Sequence, residues 1–229
     1  MKRRILFSTL FLLAVGGGLA RTSHAEPPPL AVMAVSALTE RLHDGDSSVR
    51  QAAVLALAEL GPAAKAAIPT LARTLRDPDR YVASDAGHTL EKLGREAVPS
   101  VVEQLRDSDP RVRALALRTL QQIGPDAKAA VPAIAQLLWD CDTSVRQAAV
   151  STLRDMGPAA LAAIPALAER VRDPDVYVAV DAAHTLGRMG PESIPSLVPL
   201  LRDGDPRVRE RAALVFRQIG SENVSKGSP

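Results

Sequence analysis

The chain has 229 residues, with 28 basic and 26 acidic side chains and a formal net charge of +2. Aromatic residues make up 3% of it, too few to build the stacking platforms that bind single-stranded nucleic acid. Because Cys141 is the single cysteine, no intrachain disulfide can form, and a chain of this length must be held by its hydrophobic core.

The first 25 residues have the pattern of a secretory signal peptide. Basic residues 2–4 precede an apolar run over residues 5–20, and Ser23-His24-Ala25 offers small residues at the −3 and −1 positions of a cleavage site. The alternative is a membrane anchor, for which the run is short and interrupted by three glycines. We expect residues 1–25 to be removed, residues 26–29 to form a short linker, and the protein to be exported, either periplasmic or secreted.

Cleavage at this site changes the charge of the protein. Residues 1–25 carry four basic and no acidic side chains, so the mature chain has 24 basic against 26 acidic residues and a net charge of −2. A chain near neutrality has no global electrostatic attraction to nucleic acid. We therefore expect neither a nucleic-acid partner nor membrane contact after cleavage.

From Leu30 onward, one pattern recurs six times. Each copy contains a D-x-D turn, a valine three residues after it and a closing glycine, and successive copies are spaced by 33, 30, 33, 33 and 30 residues. A fixed period in this range is typical of a solenoid of stacked units. The predicted repeats are residues 30–61, 62–94, 95–124, 125–157, 158–190 and 191–220, and residues 221–229 are predicted to be a disordered tail.

Each repeat is predicted to form two helices. Ile68, Leu71 and Leu75 lie on one face of the first helix, at i, i+3 and i+7. The second aspartate of the D-x-D turn occupies the N-cap position of the second helix, and the closing glycine is expected to end that helix. The three extra residues of the longer repeats are expected to lengthen the first helix by nearly one turn.

The D-x-D turns allow two interpretations. A calcium loop would need later ligands, and Leu55 falls where a bidentate Glu is required. A structural role explains more, since the second aspartate can cap the helix and pair with the arginine four residues later. The predicted pairs are Asp46 with Arg50, Asp109 with Arg113, Asp142 with Arg146, and Asp205 with Arg209.

The run D-x-D-x-x-V-R-x-x-A, followed by G-P and by A-x-x-A-I-P-x-L, resembles HEAT repeats, in the short form named after phycobilisome lyases. The resemblance covers residues 30–220. It implies an all-α fold, namely a right-handed α-solenoid (superhelix) of six helix–turn–helix repeats whose second helices line the concave face. It also implies a non-enzymatic scaffold that binds a protein or peptide partner.

Two relatives in the wider HEAT-like class are enzymes. Phycobiliprotein lyases attach bilins, and deoxyhypusine hydroxylase holds a di-iron centre on paired His-Glu motifs. This chain contains no His-Glu pair, so the expectation is no cofactor and no catalytic residue. An enzyme or enzyme subunit of the lyase or hydroxylase-like branch is the alternative.

The stretch YVASDAGHTL at residues 81–90 recurs as YVAVDAAHTL at residues 177–186. The offset of 96 residues equals three repeats, so the motif occurs twice because a three-repeat block is duplicated. Each copy brings one Asp and one His to a helical face, fewer than the usual number of metal ligands. With helix layers about 10 Å apart, His88 and His184 lie on the order of 30 Å apart and cannot share a metal.

Within the first copy, Tyr81, Asp85, His88 and Lys92 fall at i, i+4, i+7 and i+11, on one helical face. We interpret this face and its duplicate as a recognition stripe, with surface histidines in salt bridges as the alternative. The predicted binding residues are Tyr81, Asp85, His88, Lys92, Arg111, Arg118, Tyr177, Asp181, His184, Arg188, Arg207 and Arg211. No metal ligand is predicted.

Overall fold

The computed structural model describes the backbone of residues 30–226 and the side chains of residues 30–220. Residues 31–226 belong to one structural unit. The predicted signal peptide and linker, residues 1–29, lie outside the described residues. Within the described part of the chain, every regular element is a helix and no strand occurs.

Six helix pairs follow one another along the chain, which confirms the predicted all-α solenoid of six repeats. They are α1 (Leu30–Arg41) with α2 (Ser47–Leu60), α3 (Ile68–Thr74) with α4 (Arg80–Leu93), α5 (Val98–Gln104) with α6 (Pro110–Ile123), α7 (Val131–Gln136) with α8 (Thr143–Met156), α9 (Ile164–Arg170) with α10 (Val176–Met189), and α11 (Ile194–Leu197) with α12 (Pro206–Lys226). Each second helix packs on the second helix of the next repeat, so α2, α4, α6, α8, α10 and α12 form one continuous layer.

The sequence-predicted caps fix both ends of the second helices. The carboxylate of the second turn aspartate accepts a backbone N–H from the first helical turn, which satisfies donors that have no partner within the helix. These N-caps are Asp46, Asp79, Asp109, Asp142 and Asp175. At the other end of each of these helices, the closing glycine takes a positive φ, for example 51° at Gly61. Residues with a Cβ rarely adopt this conformation.

Two expected boundaries are wrong. The extra residues of the longer repeats lie in the 3₁₀ segment between the helices, which has seven residues at Gly61–Ala67 and four at Gly94–Ala97, while α3 and α5 are equally long. Three residues make one 3₁₀ turn, so the insertion keeps the register of the following helix. Gly220 does not end its helix, since α12 continues to Lys226.

The core draws on both helices of each repeat, and a row of leucines runs through it along the second helices. Leu57, Leu90, Leu120, Leu153 and Leu186 are completely buried, as their shared register predicts. The sixth member, Phe216, is half-buried and packs against the edge of the core.

One described segment, residues 47–74, is long and apolar enough to cross a membrane by length and composition alone. It is not a single helix, because α2 ends at Leu60 and Gly61 turns the chain before α3 begins. Its apolar side chains, including Leu57 and Leu71, are part of the repeat core. Packing within the solenoid therefore accounts for the hydropathy of this segment.

Candidate functional site: the turn ladder and the second-helix face

The D-x-D turns are joined by a ladder of arginine–aspartate pairs, and the predicted pairing within each turn is wrong. Arg50 pairs with Asp77 of the next repeat, at 2.7 Å from Nε and 2.8 Å from Nη2, instead of with Asp46. Arg113 pairs in the same way with Asp140, and Arg146 with Asp173. Both partners of each of these pairs are largely buried, and each bidentate contact links two consecutive repeats.

The third guanidinium nitrogen of each ladder arginine binds its own turn. Arg113 Nη1 donates to the carbonyl oxygens of Asp107 and Ser108, at 2.8 and 3.1 Å. Arg209 makes only this second kind of contact, to Asp203 and Gly204. The first aspartate also accepts the N–H of the second, at 2.9 Å between Asp142 N and Asp140. The ladder thus satisfies turn carbonyls that would otherwise lack a donor.

Repeats two and five lack the ladder arginine, since Ala83 and Ala179 occupy its position. An arginine at the end of the preceding first helix takes over the connection. Arg76 pairs with Asp107, and Arg172 pairs with Asp203 at 2.5 Å. The ladder therefore stays continuous through all six turns, but in repeats two and five its contact comes from an arginine that precedes the turn instead of from the second helix.

The ladder also sets the ionisation of its aspartates. Burial alone would raise the pKa of Asp140, but hydrogen bonds from the Arg113 guanidinium and the Asp142 N–H outweigh burial and bring this pKa below its ordinary value. At Asp203, the Asp205 N–H and then Arg172 lower the pKa in the same way. These carboxylates are held in the charged form by their partners.

The predicted stripe is exposed at both tyrosines. The exposed fraction is 58% for Tyr81 and 70% for Tyr177, and His88, Lys92, His184 and Arg188 are exposed as well. Asp85 and Asp181 are half-buried. Asp85 accepts a 2.8 Å hydrogen bond from Gln51 Nε2 of the first repeat. Its carboxylate is therefore directed toward repeat one and away from repeat three.

In the first copy, the structure brings Tyr81 together with Arg111 and Arg118. They line a hollow of about 390 Å³ between α4 and α6, next to Ala83 and Leu115. Arg80 lies 4.7 Å from the centre of the Tyr81 ring and donates a 2.7 Å hydrogen bond to its hydroxyl. The guanidinium of Arg111 is mostly exposed and pairs with Asp109.

The second copy is arranged differently, so the two patches are less similar than their motifs suggest. Arg207 and Arg211 border a smaller hollow of about 280 Å³ that Tyr177 does not line. Arg211 Nη1 donates to the Val171 carbonyl oxygen at 2.9 Å. Val176 and Val180 stand where the first copy has Arg80 and Ser84, and both are exposed.

The Asp–His pairs do not gather into a metal site. Among residues 30–220, whose side chains the structure describes, no group of three or more His, Cys, Asp or Glu side chains is placed to hold a metal ion. Asp85 is already bonded to Gln51, and Asp181 borders a shallow hollow with Gln147. Both glutamines precede their aspartates by 34 residues, a signal that sequence reasoning missed.

Comparison with known proteins agrees with this architecture. The family described as HEAT repeats matches residues 18–91, 35–108, 71–154, 98–176 and 164–226. No curated protein matches the chain significantly.

Among solved structures, the chain is similar to an engineered protein (22% identity, 82% of this chain, 96% of that chain, TM-score 0.49). A second is the complex of CpcE and CpcF of phycocyanin lyase from Nostoc sp. (23% identity, covering 89% of this chain and 82% of that chain, TM-score 0.49). A third is a computationally designed armadillo repeat protein for modular peptide recognition (15% identity, covering 80% of this chain and 99% of that chain, TM-score 0.47). Since the sequence matches extend over nearly the whole described region, the chain belongs to the HEAT repeat family.

Proposed function

We propose that the protein is an exported, non-enzymatic scaffold that binds a protein or peptide partner through the layer of second helices. HEAT and armadillo repeat proteins commonly bind such partners. The observation that carries the proposal is the exposure of Tyr81 and Tyr177 on this layer, the only two tyrosines of the chain. A tyrosine gives large contact area at low entropy cost, and tyrosines are enriched among residues that dominate binding energy.

The flanking charges support a role in recognition. Arg111 and Arg118 line the hollow beside Tyr81, and Lys92 is exposed farther along α4. Arg188 is exposed farther along α10 from Tyr177, and Arg207 borders the neighbouring hollow. Charged groups at the rim of an interface steer the partner and fix its orientation. Two binding sites on the order of 30 Å apart favour an extended partner that contacts both at once.

Replacing Tyr81 and Tyr177 together with alanine should weaken binding of a partner, recovered by affinity purification with the wild-type protein, at least about tenfold. Helix content and melting temperature should barely change, because neither side chain is in the core. Isothermal titration calorimetry and circular dichroism measure the two effects. The matched control is Val198→Ala, which removes a half-exposed apolar side chain from the 3₁₀ segment that follows α11 and should leave binding unchanged. Unchanged affinity in the double variant would exclude the stripe as the binding face.

Export is a separate part of the proposal, supported by the pattern of residues 1–25. Mass spectrometry of the protein from its native host should identify Glu26 as the first residue. The Ala25→Leu variant should block cleavage, because the −1 position requires a small side chain. An intact Met1 on membrane-embedded wild-type protein would instead support the anchor.

A further inference from the structure

The hollow beside Tyr81 lies where the other repeats place an arginine. In repeats one, three and four the ladder arginine occupies the space between its own turn and the next one. In repeat two the equivalent residue is Ala83, whose side chain ends at Cβ. The hollow borders Ala83, Asp77, Pro78 and Arg76. The hollow is thus the space of a missing guanidinium, preserved because Arg76 maintains the connection to Asp107 from the other side.

The charges around this hollow are not balanced. Asp77 forms an ion pair with Arg50. Arg76 is paired with Asp107, and Arg111 with Asp109. The guanidinium of Arg80 contacts only the Tyr81 ring and hydroxyl. Arg118 is exposed and, among the described residues, makes no hydrogen bond or ion pair. Two positive charges at the hollow therefore lack a carboxylate.

The walls of the hollow also offer apolar contact. Tyr81 is 58% exposed, and Leu115 of α6 is half-buried on the opposite side. An acidic side chain has the matching parts, since its methylene stem can lie between these walls while its carboxylate meets the guanidinium groups. A guanidinium presents a planar pair of donors to a carboxylate, so the contact can be bidentate.

The duplicate site differs at the positions that matter. Arg80 and Arg118 correspond to Val176 and Leu214, both exposed apolar side chains. Leu115 corresponds to Arg211, which is already bonded to the Val171 carbonyl oxygen. The second copy therefore lacks the two unpaired guanidinium groups and serves as an internal comparison for the first.

We propose that the hollow between repeats two and three is a pocket for an aspartate or glutamate side chain of an extended peptide segment of the partner. This inference rests on the protein-binding function proposed above and specifies the chemistry of the part of the partner that contacts repeats two and three. The occupant is a peptide rather than a nucleic acid because the pocket combines carboxylate recognition with apolar walls. The valine-rich second copy would then contact an apolar part of the same segment.

The test uses a short fluorescein-labelled peptide in which Glu alternates with Ser and Gly, and a matched peptide with every Glu replaced by Gln. Fluorescence anisotropy should show at least about tenfold tighter binding of the Glu peptide to the wild-type mature protein, equivalent to about 1.4 kcal/mol. Ala83→Arg restores the side chain that repeats one, three and four carry at this position, and should fill the pocket. We expect it to lower the affinity for the Glu peptide about tenfold although it adds a positive charge.

Two further variants complete the experiment. Ala179→Arg makes the same substitution in repeat five and should leave binding of the Glu peptide unchanged. Arg118→Gln alters an exposed side chain, so folding is not at risk, and should weaken binding of the Glu peptide about tenfold. Equal binding of the Glu and Gln peptides, or unchanged or stronger binding by Ala83→Arg, would overturn the pocket.

The same variants separate this inference from the broader proposal. If Tyr177→Ala weakens binding of the recovered partner while Ala83→Arg and Arg118→Gln leave it unchanged, the protein-binding face stands and the acidic pocket is wrong. If all three variants bind the partner like wild type, both the face and the pocket are wrong. Loss of partner binding in Arg118→Gln and Ala83→Arg, with Ala179→Arg unaffected, supports both.

Discussion

Replacing Leu153 with alanine should lower the free energy of unfolding by about 2–5 kcal/mol. Leu153 is completely buried in α8, which packs between α6 and α10. The substitution removes contacts with both neighbouring repeats and leaves a cavity that close-packed helices can only partly close. Urea unfolding followed by circular dichroism measures the loss.

The cooperativity of unfolding gives a second readout of the same variant. In a solenoid, stability is a sum of repeat and nearest-neighbour terms, so weakening repeat four should separate the transitions of the two halves. Leu55→Ala is the control, because Leu55 is 50% exposed on α2 and its loss should fall within about 0.5 kcal/mol. A change below about 0.5 kcal/mol for Leu153→Ala would show that the predicted register of the core is wrong.

Replacing Asp140 with asparagine should destabilise the protein by roughly 3 kcal/mol, because it leaves the largely buried guanidinium of Arg113 without a charged partner. Asparagine keeps the shape of the side chain and can still accept the Asp142 N–H, so the effect isolates the inter-repeat charge pair. Denaturant unfolding at pH 7 measures it. Glu96→Gln is the matched control, since Glu96 and Lys65 form a pair that is half-exposed and worth no more than about 1 kcal/mol.

Acid should remove the same interaction from the wild-type protein. The pKa of Asp140 is lowered in the folded protein, so the unfolded chain binds more protons, and stability falls as the pH falls. The stability difference between wild type and Asp140→Asn should be constant above about pH 5 and shrink as the pH falls below about 4, the ordinary range of an aspartate. A difference independent of pH, or no destabilisation at pH 7, would contradict the ladder as a source of stability.

The helical register was predictable from the sequence because each determinant acts within one repeat. The N-cap aspartates, the positive-φ glycines and the buried leucine row each depend on a local spacing that recurs six times. Placement of the three extra residues was not predictable in this way. Lengthening the first helix or adding one 3₁₀ turn both preserve the apolar face, and only the structure distinguishes them.

The ladder was missed because its contacts join residues 27 or 31 positions apart. Arg50 is four residues from Asp46, a spacing that suggests a local helical pair, but its guanidinium reaches forward to Asp77 across the repeat interface. The sequence carries only part of the signal for this arrangement. The arginine is replaced by alanine in repeats two and five, but an arginine directly before the D-x-D turn occurs in repeats two, three, five and six, so its presence alone does not identify the pairing.

Exposure of the candidate site was predictable, but its surroundings were only partly so. The residue types at the positions of Asp85 and His88 vary between charged, polar and apolar across the six repeats, which indicated a solvated face; His88 is exposed and Asp85 is half-buried. The contact of Asp85 with Gln51, and the hollow beside Ala83, depend on side chains from neighbouring repeats. Such contacts follow from how consecutive repeats stack, which local periodicity does not specify.

The most direct test of the binding face is hydrogen–deuterium exchange of the mature protein with and without its recovered partner. Binding through the second-helix layer predicts slower amide exchange in α4, α6 and α10, with the first-helix layer, including α3, α5 and α9, unchanged. Exchange of exposed amides at an interface slows because the partner excludes water and suppresses local opening. Protection confined to the first helices, or an unchanged exchange pattern in α4 and α10 at saturating partner, would contradict the proposed binding surface.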